Sequence, residues 1–110
     1  DIFYVTQVTE GTLLEDVVGA DIVFVEAHQT SQIHRHNESE TVLYILQGSG
    51  ILQVNDQKVQ IKAGLQVCIS KGDYHGVITS SHSLTFLSIQ SPPILNKKNG
   101  TLDFEKKDLF

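Results

Sequence analysis

Residues 34–40 read His34-Arg35-His36-Asn37-Glu38-Ser39-Glu40, two imidazoles two positions apart followed by a carboxylate within a short polar turn. On a β-strand, residues i and i+2 point to the same face, so the two imidazoles stand side by side and Arg35 points away. Imidazole and carboxylate groups together suit a divalent transition metal such as iron, nickel, manganese, copper or zinc. The stretch therefore predicts a strand that carries part of a metal site, with Glu40 as a candidate ligand.

A second stretch, residues 64–75, reads GLQVCISKGDYH and supplies a third imidazole, His75, from a distant strand. Together the two stretches resemble the two motifs of the cupin superfamily. The first motif, G-x5-H-x-H-x(3,4)-E-x6-G, is approximated by His34, His36, Glu40 and Gly48. The second, G-x5-P-x-G-x2-H-x3-N, is matched at its spacing by Gly64, Gly72 and His75. The resemblance covers roughly residues 20–91.

The sequence departs from these motifs at the acidic position. Counting back from Gly48 puts the expected glutamate at Thr41, one residue after Glu40. Because a one-residue slip sends a side chain to the opposite face of a strand, there are two alternatives. Either a bulge or the turn re-aims Glu40 inward, or Thr41 occupies the ligand position and the metal has three histidines. Three further motif positions also differ, at His28, Ser70 and Thr79.

The resemblance implies an all-β fold, a cupin-type jelly-roll barrel of mostly antiparallel strands with one divalent transition metal ion at its centre. Short apolar runs with turn residues between them independently favour a β-sandwich or barrel. We expect Gly48-Ser49-Gly50 to break one strand, and Asn55-Asp56-Gln57 to form the turn of a hairpin. The ligands implied by the resemblance are His34, His36, His75 and the uncertain Glu40.

Four other residues are candidates for binding a substrate or supporting the ligands. Gln32 shares strand parity with His34 and His36, so it is a candidate to line the cavity and to donate a hydrogen bond that supports the metal ligands. Thr41 is the alternative at the acidic position. Tyr74 and Tyr44 have phenols that would orient a substrate, but packing in the core is the more ordinary role for both.

Length and composition bound the alternatives. The 110 residues suit a single domain, residues 1–110, with a barrel core of about 20–91. Residues 92–110 are expected to form a C-terminal tail or arm: Pro92-Pro93 should end the sheet, and residues 96–110 should form a loosely packed tail, a short helix or a dimer-swapped arm. The net charge of -5 argues against a nucleic-acid partner, and no apolar run is long enough to span a membrane. A single cysteine, Cys68, fits a reducing cytoplasm, and its mid-strand position predicts a buried thiol.

Two functions are compatible with the predicted metal-binding barrel. One is a metal-dependent enzyme of the dioxygenase, isomerase or lyase type, acting on a small organic acid, diketone or sugar. The other is a non-catalytic module that binds or senses a small molecule inside the barrel. We also expect a homodimer, because Ile2-Phe3-Tyr4-Val5 is an apolar edge and exposed edges tend to be covered.

Overall fold

A computed structural model describes residues 2–107, and these residues form β-strands joined by turns and loops. The strands are β1 Tyr4–Gln7, β2 Gly19–Val25, β3 His34–Arg35, β4 Glu40–Val54, β5 Gln57–Lys62, β6 Gln66–Ile69, β7 His75–Ile78, β8 Leu84–Ser91, β9 Leu95–Asn96, β10 Thr101–Leu102 and β11 Glu105–Lys106. Within the same residues, no helix has the length and apolarity that crossing a membrane requires.

The long strand β4 joins two curved sheets. Its first half pairs with β8 and β6, and β8 continues to β2 and β1. Its second half pairs with β5 and β7, and β7 continues to β3 and β11. All of these pairings are antiparallel, so the predicted all-β jelly roll is confirmed.

The prediction that Gly48-Ser49-Gly50 breaks a strand is wrong, because β4 runs through these residues without ending. Gly48 has φ +84°, and a Cβ on it would lie 1.9 Å from the main-chain oxygen of Ser83. Glycine is the one residue that tolerates both conditions, so the strand bends here while it keeps its ladder. A register shift between Ile45 and Gln47 adds a β-bulge just before the bend.

The core lies between the two sheets and follows the two-residue period of the strands. On β4, Leu43 and Ile45 are buried while Tyr44 is exposed. The core is one apolar cluster of buried side chains: Val23, Val25, Leu43, Ile45, Leu52, Ile61, Ile69, Val77, Leu84 and Phe86.

The predicted hairpin is confirmed, with β4 and β5 joined around Asn55 and Asp56. The prediction that Cys68 is buried is wrong, because its side chain faces outward from β6.

The chain after Pro93 folds back onto the second sheet. β9 pairs with β10, and β11 pairs with β3 through Glu105 opposite Arg35 and Lys106 opposite His34. On the outer face, Arg35 forms an ion pair with Glu105 at 2.6 Å, and the Tyr74 hydroxyl donates to the same carboxylate at 3.2 Å. The segment from Pro92 is thus ordered strand and turn as far as Lys107, and residues 108–110 lie outside the described residues.

Candidate metal centre

Three histidines meet at the interior surface of β3 and β7. His34 begins β3 and is the direct pairing partner of His75, the first residue of β7, while His36 follows β3 on the same face. All three are buried, and one ring nitrogen from each lies within 4.8 Å of the others. The His34 and His75 rings meet edge to face, with centroids 4.4 Å apart. The cluster therefore places three possible ligands around one point.

The outer nitrogen of every ring is fixed by the main chain. Nδ1 of His34 lies 3.2 Å from the carbonyl oxygen of Gln32, and Nδ1 of His75 lies 3.0 Å from that of Asp73. Nδ1 of His36 lies 2.6 Å from the carbonyl oxygen of Asp103. A carbonyl only accepts hydrogen bonds, so each Nδ1 carries the proton and each Nε2 keeps its lone pair free. This is the tautomer that metal-bound histidines adopt, with the second nitrogen anchored to a carbonyl.

Burial favours the neutral form of two of these imidazoles, His34 and His75. Burial lowers the pKa of His75 to about 4, and the charge of the neighbouring histidines works in the same direction. Burial likewise lowers the pKa of His34. Neutral imidazoles with bare Nε2 atoms in a buried space repel one another and lack donors, and a cation resolves both problems.

The acidic position is occupied by Thr41, whose buried side chain faces the cavity. Glu40 points out of the barrel, and its carboxylate accepts a hydrogen bond from the main-chain N–H of Lys71 at 2.9 Å. The strand is regular here because the bulge lies further along, between Ile45 and Gln47. No irregularity re-aims Glu40, so the structure does not bring this predicted ligand to the histidines.

Comparison with known proteins agrees with this architecture. The family model described as a cupin domain matches residues 21–89. The chain belongs to the cupin family. No curated protein sequence matches this chain, so the family assignment rests on the match to the cupin-domain model.

Solved structures share the fold of this cupin at low sequence identity. A cupin protein from Bacteroides fragilis is 20% identical, with a TM-score of 0.74 over 81% of this chain and 76% of that chain. A nucleoside dehydratase from Streptomyces is 16% identical, with a TM-score of 0.76 over 96% and 78% of the respective chains. An uncharacterized conserved protein with a double-stranded β-helix domain from Klebsiella pneumoniae is 17% identical, with a TM-score of 0.77 over 96% and 84%.

The other predicted site residues of this cupin are placed differently from one another. Gln32 lines the cavity and supports His34 through its main-chain carbonyl. Tyr74 lies on the outer side, where its ring contacts Arg35 and its hydroxyl contacts Glu105. Tyr44 is exposed on the outer face of β4. Strand parity explains both tyrosines, since each is one residue away from an inward position.

The C-terminal segment supplies two site residues that the sequence did not predict. The Asp103 carboxylate accepts hydrogen bonds from the main-chain N–H groups of Asn37, Glu38 and Ser39, at 2.6 to 3.0 Å. Burial by itself would raise the pKa of Asp103, but these donors outweigh it and hold that pKa below its ordinary value. Phe104 stacks on His34, with ring centroids 4.6 Å apart and planes inclined by 22°.

A cavity of about 480 Å³ extends from the histidines through the barrel interior. Most of its wall is apolar, including Val23, Leu43 and Phe86. Apart from Gln32 and Lys106, its remaining polar side chains are carried by the other sheet, on β2, β4 and β8. We call them the polar quartet: Asp21, Thr41, Ser88 and Gln90. The cavity thus has one polar end made of imidazoles and a second polar group of different chemistry.

Proposed function

We propose that this cupin binds one divalent transition metal ion through Nε2 of His34, His36 and His75, and binds a small oxygen-rich molecule beside it. The observation that supports this most is the set of three Nδ1–carbonyl hydrogen bonds, which leaves Nε2 of each ring available as a ligand in a cluster whose ring nitrogens lie within 4.8 Å of one another. Imidazole ligands suit iron, nickel, manganese, copper and zinc alike, so the donor set fits the ion that cupins hold without selecting one.

The chain's own residues determine what can bind next to the ion. A divalent ion held by His34, His36 and His75 would have only neutral imidazoles as protein ligands, so it would supply Lewis-acid chemistry with its full double charge. Lys106, the pairing partner of His34, also lines the cavity. Both features favour an anionic or enolate-like oxygen at the histidine end. Phe104 stacks on His34 and adds an apolar surface at that end.

The reaction class that we propose is a lyase or isomerase reaction, which requires a group that takes up or releases a proton. Asp21 is the one carboxylate that lines the cavity among residues 2–107, and burial raises its pKa above the ordinary value. The structural likeness to a nucleoside dehydratase is compatible with this class. A dioxygenase is the second candidate, and it would require iron, one of the metals that imidazole ligands suit.

The first test is a metal assay on purified and reconstituted protein, followed by a ligand screen. We expect close to one transition metal ion per chain, and protein that stays metal-free after reconstitution would remove the proposal. Small acids, diketones and sugars are then screened by thermal shift, and each hit is incubated with metal-loaded protein for product analysis. Turnover supports the enzyme, whereas binding without any product supports a sensor or storage module.

We further propose that this cupin forms a homodimer. β1 pairs only with β2 among the described strands, and its residues Tyr4 and Val5 are 60% and 54% exposed. An apolar edge with unpaired main-chain groups is a surface that a second copy covers well. Light scattering at micromolar concentration tests this, and a monomeric mass would contradict it.

A further inference from the structure

The outer faces of the two sheets differ in composition. On the second sheet, the outward side chains of β5 are Lys58, Gln60 and Lys62, and Arg35 on β3 forms its ion pair with Glu105 on β11. Such a charged outer face is usual for an antiparallel sheet that has its core on one side and water on the other. The first sheet lacks this polar covering.

The outward side chains of the first sheet form one continuous apolar surface. In the middle row, Tyr44 on β4 lies opposite Leu87 on β8, and Leu87 lies opposite Ile22 on β2. A flanking row is formed by Val42, Ile89 and Ala20, and on the other side the rings of Tyr4 and Phe24 lie 6.1 Å apart. We call this surface the apolar face, and its members are Tyr4, Ala20, Ile22, Phe24, Val42, Tyr44, Leu87 and Ile89.

The apolar face is exposed to solvent and almost free of charge. The exposed fractions of its five most accessible members, Tyr4, Ile22, Phe24, Tyr44 and Ile89, lie between 37% and 60%. Among the outward side chains of the described strands β1, β2, β6, β8 and the first half of β4, the one charged group is Glu40, at the end of β4. Scattered apolar residues are ordinary on a protein surface, but a contiguous patch of this kind marks an interaction site.

The sequence of these strands is that of a sheet covered on both sides. Residues 22–25 and 42–46 are apolar on both parities, a pattern that is typical of strands buried on both faces. In the structure, the inward parity packs in the core, with Val23 and Leu43 buried, whereas Ile22 and Tyr44 on the outward parity are exposed. Residues 2–107 therefore leave one side of a two-sided pattern uncovered.

The size of the apolar face suits the centre of a protein–protein interface. Five strands at about 4.8 Å spacing and about five residues at about 3.4 Å rise outline roughly 400 Å². A standard interface buries about 800 Å² per partner, with an apolar centre inside a polar rim. Outward polar side chains surround this face as such a rim would: Thr6, Glu40, Gln47, Gln66, Thr85 and Ser91.

The charge distribution favours a second copy of the same chain as the occupant. Each chain carries a net charge of -5, so two copies repel wherever their acidic groups meet. The apolar face is a surface on which they meet without that repulsion, and it offers no charge that would select a partner of opposite sign. A sheet face is also self-complementary, because two such faces pack about 10 Å apart as in a β-sandwich.

We propose that two copies of this cupin pack through the apolar face, sheet against sheet, about a two-fold axis near Tyr44 and Leu87. This interface rests on the proposed homodimer for the presence of a second copy, and it extends the contact from the edge of β1 across the whole sheet. The three histidines lie on the second sheet, so both metal centres remain outside the interface.

The test combines the mass of the protein with the reactivity of its one thiol. Cys68 is exposed on β6, at the opposite side of the first sheet from β1, and lies opposite Val42. A dimer through the apolar face should slow the reaction of Cys68 with a thiol reagent as the protein concentration rises, whereas a dimer through the edge of β1 leaves this rate unchanged. Sedimentation over the same concentrations gives the fraction of dimer.

Two variants introduce the same charge at positions of equal exposure. Tyr44→Glu changes the centre of the apolar face, where the side chain is 43% exposed, and Val59→Glu changes β5 of the second sheet, where it is 42% exposed. We expect Tyr44→Glu to weaken dimerisation at least about 30-fold and to make Cys68 react equally fast at every concentration. Val59→Glu should remain dimeric, with Cys68 protected as in the unmodified protein.

The outcomes separate the apolar face from the other proposals. A Tyr44→Glu protein that still forms the dimer, or an unmodified dimer whose Cys68 reacts as fast as that of the monomer, would overturn the face and leave the homodimer standing. A monomeric unmodified protein would overturn both. The Cys68 measurement uses the unmodified chain, so it decides the matter even if Tyr44→Glu does not fold. Metal content is assayed in parallel and should be the same in all three proteins.

Discussion

The histidine cluster and the polar quartet line one cavity from different sheets, and they differ in how their hydrogen bonds are completed. In the cluster, the outer nitrogen of each ring is held by a main-chain carbonyl, and only the inner nitrogens are bare. In the quartet, the side chains bond mainly to one another, and the Thr41 hydroxyl has no partner among residues 2–107. The first arrangement suits a bound ion, whereas the second leaves a buried hydroxyl that the fold does not satisfy.

The two regions also differ in what supports them. The quartet lies on β2, β4 and β8, where long ladders fix each side chain. The cluster lies on the two-residue strand β3 and the start of β7, and a short strand needs other support. The C-terminal segment provides it through Asp103, Phe104 and β11. Variants that loosen this segment should therefore affect the metal centre more than the quartet.

The largest effect is expected from removing a ligand. His36→Ala should lower the affinity for a transition metal by more than about 100-fold, because even changes to residues that only support ligands cost about 10–100-fold. The measurement is competition with a chelating dye. His82→Ala, an exposed histidine outside the cluster, is the control and should bind metal as the unmodified protein does. Equal affinity of the two variants would contradict the assignment of His36.

Removing the Asp103 carboxylate should have the next largest effect. Asp103→Ala deprives three main-chain N–H groups of their acceptor and frees the carbonyl that holds His36 Nδ1, so we expect metal affinity to fall about 10–100-fold. Asp103→Asn should restore part of that affinity. Thr79→Val controls for general destabilisation, since it removes hydrogen bonds remote from the cluster. If Asp103→Ala and Thr79→Val lower metal affinity equally, Asp103 has no positioning role.

Phe104 and Phe24 form a matched pair for testing the cover over the cluster. They are 36% and 38% exposed, but Phe104 stacks on His34 whereas Phe24 lies on the outer face of β2. Either change to alanine should cost about 1–3 kcal/mol of unfolding free energy, less than for a fully buried phenylalanine. Only Phe104→Ala should speed metal release in stopped-flow experiments with a chelator. Equal release rates from the two variants would show that Phe104 does not cover the site.

The smallest expected effect is on the pH dependence of folding stability, through Asp21. The sign of this effect follows from the burial of the Asp21 carboxyl. Burial raises the pKa of this carboxyl in the folded protein, with Gln90 acting weakly in the opposite direction. The folded state therefore holds the proton more tightly than the unfolded state, and stability falls as the pH rises from the unfolded pKa through the folded one. The Asp21→Asn substitution removes this loss of stability at higher pH. Its melting temperature should exceed that of the unmodified protein by more at pH 7 than at pH 3.5, and the reverse order would contradict the assignment.

The histidines were predictable because their chemistry and spacing are local. Two imidazoles two residues apart share a face of any strand, and the resemblance to the second cupin motif, matched by Gly64, Gly72 and His75, identified the third. The position of Glu40 was not predictable, since it depends on where β4 is irregular. The bulge lies after Ile45, in a run that is apolar on both parities, and nothing in the residue types marks it.

The supporting role of the C-terminal segment and the position of the polar quartet could not be predicted from the sequence, for a different reason. Asp103 reaches residues 37–39 from more than 60 positions away, and a single aspartate in a charged segment carries no local signal. Ser88 and Gln90 face inward, but β8 also has apolar residues on its outward parity, Leu87 and Ile89. The two-residue period therefore did not reveal which face of β8 is the inside.

The most direct test of the metal centre is crystallography of reconstituted protein with an anomalous scattering scan at the absorption edge of the bound metal. We expect one anomalous peak per chain, about 2.0–2.2 Å from Nε2 of His34, His36 and His75, with Glu40 remaining outside the barrel. A peak elsewhere, coordination through Nδ1, or reconstituted crystals without any peak would contradict the account.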